Sequence, residues 1–400
     1  MLIYNAAVHT VNKDNDVLRN GFVKFEDGKI TAVGVVSDCP TVSDGDFDAC
    51  GANLYPGFID AHSHVGVWED GEGVEGDDGN ETTDPCTPHL RAIDMINPAD
   101  YCFTEAASAG ITTVMCGPGS ANCISGSFTV LKTHGSLDIG KRIMRTPAAM
   151  KFSFGENPKM VYREKGESPV TRMATAAIIR EQLYKAKRYL ESVDLHLSDP
   201  DNNDLPDYDI KCEALLPLLR GEITAHAHCH RADDIFTAVR ILHTEFGLKL
   251  VLIHATESAM IADELCEYGI PAIIGPILCD RSKRELANLT IKTAGILADK
   301  GVEFAICSDH PVIPVQYLPL TAGLAIRGGL SEWQALRTIT IDAARLCGTD
   351  DRIGSIEIGK DADFAIIDGD YYDVRKTPSA VFIGGKQINT SHTPDRERKY

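Results

Sequence analysis

Pro56-Gly57-Phe58-Ile59-Asp60-Ala61-His62-Ser63-His64 reads as a short apolar strand entered through a Pro-Gly turn and ending in two histidines one residue apart. Side chains at i and i+2 of a strand share a face, so His62 and His64 present their imidazoles together. Paired imidazoles offer a bidentate seat for Zn²⁺ or another divalent ion. Alone, such a pair is as readily two histidines at a polar strand end, so the rest of the chain must decide.

Downstream, further apolar segments end in metal-ligating or proton-moving side chains. Residues 148–154 read as a strand carrying Lys151, followed by Gly155-Glu156-Asn157. An ammonium is costly to bury and has no lone pair to offer a metal, so Lys151 must be neutralised or ion-paired. Residues 222–230 place His226, His228 and His230 at i, i+2 and i+4, all facing one way. Three such histidines demand partners. Residues 248–254 are a continuous apolar run ending in His254, and residues 302–309 are another, ending in Asp309 before His310-Pro311. A helix N-cap is the plain alternative for Asp309.

The run from Pro56 to His64, the Ala109-Gly110-Ile111-Thr112-Thr113-Val114 segment, residues 333–345 and residues 354–363 resemble, in order, segments of the amidohydrolase superfamily. The resemblance covers essentially the whole chain and lies nearest the imidazolonepropionase-related and metallo-dipeptidase-like branch. It implies an α/β fold, a metal-dependent (β/α)8 TIM barrel with a small β-sandwich built from both termini. It divides the chain into 1–53 (first part of the sandwich), 54–347 (barrel) and 348–400 (the rest of the sandwich). It also implies a ligand set: His62, His64 and Asp309 on one metal, His228 and His254 on the other, and Lys151, carboxylated by carbon dioxide, as the bridge. His226 is the alternative to His228 on the fifth strand. His230, His310, Glu156 and Asn157 are expected to contact substrate. The expected cofactor is divalent metal, two Zn²⁺.

Length and composition agree with such a molecule. Four hundred residues suffice for a barrel of about 250 residues plus a smaller module. A hydrophobic content of 44% with 24% charged residues is that of a globular protein. A net charge of −19 repels phosphate backbones and anionic lipid, which argues against nucleic-acid or membrane partners. No apolar run reaches about 18 residues and no signal-like start is present, so a soluble cytoplasmic enzyme with a small-molecule substrate is expected, a homo-oligomer remaining open. The 12 cysteines are scattered without a CxxC pair, as buried reduced thiols would be.

Strand-like runs at 21–25 and 29–33 joined at Asp27-Gly28, and others at 353–358, 363–367 and 379–383, supply the terminal module. A third barrel strand is expected around 130–133 and a helix from the Ser331 capping box to about Leu346. Residues 67–91, dense in Gly and acid, fall where the first βα loop belongs. The cluster Glu69, Asp70, Glu72, Glu75, Asp77 and Asp78 would favour a cationic substrate if it faced the site.

The chemistry implied is hydrolysis of a C–N bond in an amide, lactam or dipeptide. Two ions sharing a hydroxide bring its pKa toward neutrality and polarise the carbonyl, and Asp309 shuttles the proton. The rival readings are a mononuclear deaminase of the same superfamily, which needs no lysine bridge, a non-catalytic scaffold protein of the same fold, and a protein that binds metal without turnover.

Overall fold

The structure is a computed structural model and describes residues 1–70 and 73–388. Its termini build one sheet. Val17–Glu26 and Lys29–Val35 form a hairpin through Asp27 and Gly28, both at positive φ (50° and 76°), the geometry that lets a two-residue turn follow the strand twist. Leu2–His9 pairs antiparallel with Val17–Glu26 and parallel with Asn53–Pro56. Asn53–Pro56 in turn pairs with Phe364–Ile367 from the far end of the chain, and Ala380–Ile383 and Lys386–Ile388 follow outward. Phe25, Phe364 and Phe382 meet in its core with ring centroids 5.7 to 6.4 Å apart. Lys132 reaches Asp361 at 3.1 Å and also pairs with Asp363, tying the sheet to the central unit.

The ladders join all these strands into one continuous hydrogen-bonded sheet. Residues 353–358 form no strand. Ile356 makes one backbone bond to Thr10, and Gly354, at φ 90°, lies against Ile341 and Ala344 where a Cβ would come within 2.9 Å of the Ile341 Cα. Their apolar residues serve packing, not pairing.

The central unit is made of buried parallel strands connected by helices. Phe58–Ser63 pairs with Ile111–Cys116. Ala149–Ser153, Thr224–Cys229, Leu250–His254, Ala272–Ile274 and Phe304–Ile306 pair in sequence order, each parallel to the next. Nearly every residue in these strands is buried, as expected where both faces of a sheet are covered. Helices including Tyr101–Ser108, Arg172–Ser198 and Ala262–Tyr268 lie between them, and Leu318–Arg327 follows the last.

The expected third strand is split. Ile124–Ser127 runs antiparallel to Ala149–Ser153, and Thr129–Lys132 runs antiparallel to Ile111–Cys116, so each ladder takes one half. At the opposite edges, backbone bonds run from Asp309 N–H to the His62 carbonyl (3.3 Å) and from His64 N–H to the His310 carbonyl (3.0 Å). The helix from Ser331 starts with its capping box but breaks at Thr340, giving Glu332–Thr338 and Ile341–Leu346. The break frees the Ile339 carbonyl to accept from Ile59 N–H at 2.8 Å, which anchors the His62 strand.

Among the described residues, no helix is long and apolar enough to cross a membrane. All 12 cysteines are unpaired.

Candidate active site

Strand register sets the site. Ser153 lies opposite His228, and Cys229 opposite His254, so the chemical ends of these strands reach one level. His62, His64, Lys151, His228, His230 and His254 are all buried, Lys151 and His62 completely. Among the described residues two groups of donor atoms emerge, each within 4.8 Å of one another: His228, His230 and His254, and His62, His254 and Asp309. His254 belongs to both. His64 Nε2 lies 3.4 Å from Asp309 Oδ1, and His62 Nε2 lies 3.6 Å from it. Lys151 Nζ is 3.4 Å from His62 Nε2.

Hydrogen bonds orient the rings. His64 and His254 each give Nδ1 to a backbone carbonyl, Gly117 and Gly275, at 2.7 Å. His230 Nδ1 meets Thr256 Oγ1 at 2.7 Å, and His228 Nδ1 meets Ser120 Oγ at 3.0 Å. Each Nε2 is left toward the common space, the arrangement in which a partner at one ring nitrogen fixes the other as a ligand. Burial drives His62, His228 and His230 well below the usual histidine range and His254 down to about 4, so the lone pairs are free at neutral pH.

Burial pushes the Asp309 carboxyl up. His254, His64 and Lys151 pull it further the other way, to about 2, and it stays ionised. Burial also brings the Lys151 ammonium down to about 8, against the pull of Asp309. Neutral imidazoles and an ionised carboxylate suit divalent cations, and His62 Nδ1 has no hydrogen-bond partner.

The backbone is strained where these groups emerge. His254, Ala255 and Asp309 have φ of 68°, 43° and 55°, a region non-glycine residues seldom occupy. Beneath them Asp60, fully buried, accepts from the Ser308 hydroxyl and from the N–H groups of Ser308 and His62, both at 3.3 Å. Burial lifts its carboxyl to about 7. Asp60 thus couples the strand of His62 to the segment carrying Asp309, a positioning role that its place inside an apolar run did not reveal.

The remaining expected residues separate. His226 is one rung deeper, opposite Lys151, belongs to neither donor group and has both ring nitrogens unpartnered. Asn157 lines a cavity of about 520 Å³ over the histidines, its amide 3.4 Å from His228 Nε2. The Glu156 side chain does not line that cavity; its N–H donates to Glu285 Oε2 at 3.0 Å. His310 is turned to the backbone, its Nδ1 accepting from Val315 N–H at 3.2 Å. Glu285, buried beside His228 and His230, escaped the sequence reading because no periodicity marks the turn Arg284–Leu286.

Trp68, Met160, Val161, Leu286 and Val312 give the cavity apolar walls, and Asp280 and Lys283 give it charge of both signs. The first βα loop contributes Trp68, edge-on to His64 at 4.7 Å, and Asn80; among the described residues none of its acidic side chains lines the cavity. Glu69 binds Asn97 at 2.6 Å, Asp77 and Asp78 line a separate cavity with Glu81, and Glu72 lies outside the described residues. The expected preference for cationic substrates therefore draws no support from the described acidic side chains at the cavity wall. Asp77→Asn with Asp78→Asn is expected to leave the ratio of kcat/KM for matched cationic and neutral substrates within about twofold at low and high salt. A selective loss for the cationic substrate at low salt only would restore the electrostatic role.

The model of the amidohydrolase family matches residues 53–388. The amidohydrolase TasK of Hapsidospora irregularis is 30% identical over 392 residues, covering 92% of this chain; the chain spans only 39% of that protein. An imidazolonepropionase of Solibacter usitatus is 24% identical over 408 residues, covering 93% of this chain and 91% of the other. A crystal structure of an amidohydrolase from Thermotoga maritima MSB8 superposes with a TM-score of 0.92 at 40% identity, over 97% of this chain and 99% of that one. With the histidines and Asp309 gathered at the strand ends inside the matched region, the chain belongs to the amidohydrolase family.

Proposed function

We propose that this protein is a metal-dependent hydrolase that cleaves a C–N bond in an amide, lactam or dipeptide. The observation that carries the reading is the pair of donor groups sharing His254, with a fully buried lysine 3.4 Å from His62. His62, His64 and Asp309 would hold one divalent ion, and His228 and His254 the other. Lys151, its amine carboxylated by carbon dioxide, would give both an anionic donor. Bound there, divalent ions supply Lewis acidity to the scissile carbonyl and make water a nucleophile near neutral pH.

The chain's own groups do the rest. Asp309, ionised and at the cavity floor, takes a proton from the attacking water and returns it to the leaving nitrogen as general acid. Asn157 holds the substrate against the histidines, and the apolar walls exclude competing water. In this reading the two parallel ladders are arcs of one closed (β/α)8 barrel spanning 54–347, joined through the split third strand and the Asp309–His62 edge. Residues 1–53 and 348–388 form the accompanying small β module, the place that the expected sandwich takes.

Elemental analysis of protein purified without chelators is expected to give about two divalent ions per chain, Zn²⁺ foremost. The same preparation should turn over at least one of N-acyl amino acids, dipeptides and cyclic ureides, and lose that activity on chelation. One ion at saturating metal would favour the mononuclear deaminase, and ions without turnover across the panel would favour a binding protein.

A further inference from the structure

Glu285 stands in the turn Arg284–Leu286 and is 1% exposed. Its seat is made by a distant part of the chain. Gly155, at φ 86°, caps the helix Glu156–Lys165, and a Cβ there would lie 2.9 Å from Glu285 Oε2 and 3.1 Å from Asp234 Oδ2. Two buried carboxylates therefore converge on one glycine. Asp234 is neutralised by Arg172 through hydrogen bonds of 2.8 and 3.0 Å.

Glu285 has no such partner. Among the described residues no lysine or arginine is within ion-pair distance of it, and Lys283, two residues away, gives its ammonium to Asn157 Oδ1 at 2.6 Å. Oε2 accepts the Glu156 N–H, while Oε1 is buried without any hydrogen bond. An ionised carboxylate left in that state costs several kcal/mol. What Oε1 faces is a pair of imidazoles: His230 Nε2 at 3.7 Å and His228 Nε2 at 4.0 Å. Both distances exceed a hydrogen bond. Both are close to the roughly 3.4 Å that separates neighbouring donors on a tetrahedral ion with bonds of about 2.1 Å.

We infer that Glu285 is a cation ligand, its Oε1 joining His228 and His230 in a carboxylate-bearing donor group for a divalent ion. This rests on the metal-dependent reading above and adds a ligand that the order of strand ends did not supply. It also gives the Gly155 cradle a purpose: the helix N-terminus holds one carboxylate oxygen so that the other is presented to the metal.

The test is calorimetric titration of the chelator-stripped full chain with Zn²⁺ and with Co²⁺, comparing wild type with Glu285→Gln and Glu285→Ala. The Gln variant keeps an oxygen for the Glu156 N–H, so the seat survives if the Ala variant fails to fold. Glu285→Gln is expected to weaken one binding event at least tenfold and to change the visible absorption of the Co²⁺-loaded protein, its metal-free melting curve staying as in wild type. Unchanged affinities and an unchanged Co²⁺ spectrum, in variants of a wild type that does bind, would overturn the Glu285 assignment alone. A wild type that takes up no ion would overturn the proposed function and this inference together.

Discussion

Asp309→Asn is expected to lower kcat by about 10³-fold, about 4 kcal/mol of barrier, while most of the metal stays bound. The side chain lies 3.4 and 3.6 Å from His64 and His62, and an amide oxygen in the same place still offers a donor atom. What asparagine cannot do is accept a proton. The backbone should tolerate the change, because φ at Asp309 is 55° and asparagine is among the few residues that enter this region readily. Measuring kcat and metal content on one preparation separates proton transfer from metal loss. A rate within tenfold of wild type at full metal occupancy would show that another group moves the proton. His230 would then come first, since His310 already spends Nδ1 on the backbone of Val315.

The parts of this molecule legible in sequence are those that repeat a period or end a buried strand. His62 and His64 could be placed on one face by the two-residue period alone, and the ladders do set Ser153 opposite His228 and Cys229 opposite His254 at the strand ends. The Asp27-Gly28 hairpin was legible because both residues accept the positive φ that a two-residue turn needs. Residues 353–358 misled because apolar residues pack a loop as well as a strand. The loop after His64 misled differently: its composition gave its charge, but not that Glu69 would turn to Asn97 while Trp68 packs on His64. Glu285 and Asp60 were illegible for a third reason. Their surroundings come from Gly155 and Ser308, 130 and 248 residues away, and no local pattern encodes so distant a pairing.

Lys151→Ala is expected to remove one of the two ions and to cut activity at least about 10²-fold, about 3 kcal/mol, with partial recovery in acetate or propionate. The lysine occupies the middle of the strand Ala149–Ser153, opposite His226 on one side and Gly126 on the other, with no solvent exposure. Its ammonium would face His62 at 3.4 Å and the Phe128 ring at 5.7 Å, beneath two proposed cation sites. Positive charge in that position opposes metal binding. Burial favours the neutral amine, and reaction of that amine with carbon dioxide, with loss of one proton, turns a repelling group into an anion. The alanine variant leaves a space that a short carboxylate can enter to replace the missing anion. Wild-type protein equilibrated with ¹³C-bicarbonate should show a carbamate carbon that the variant lacks. If Lys151→Ala keeps two ions and full activity, or the wild type takes up no label, the lysine is a neutral or ion-paired core residue and the bridge must come from another group.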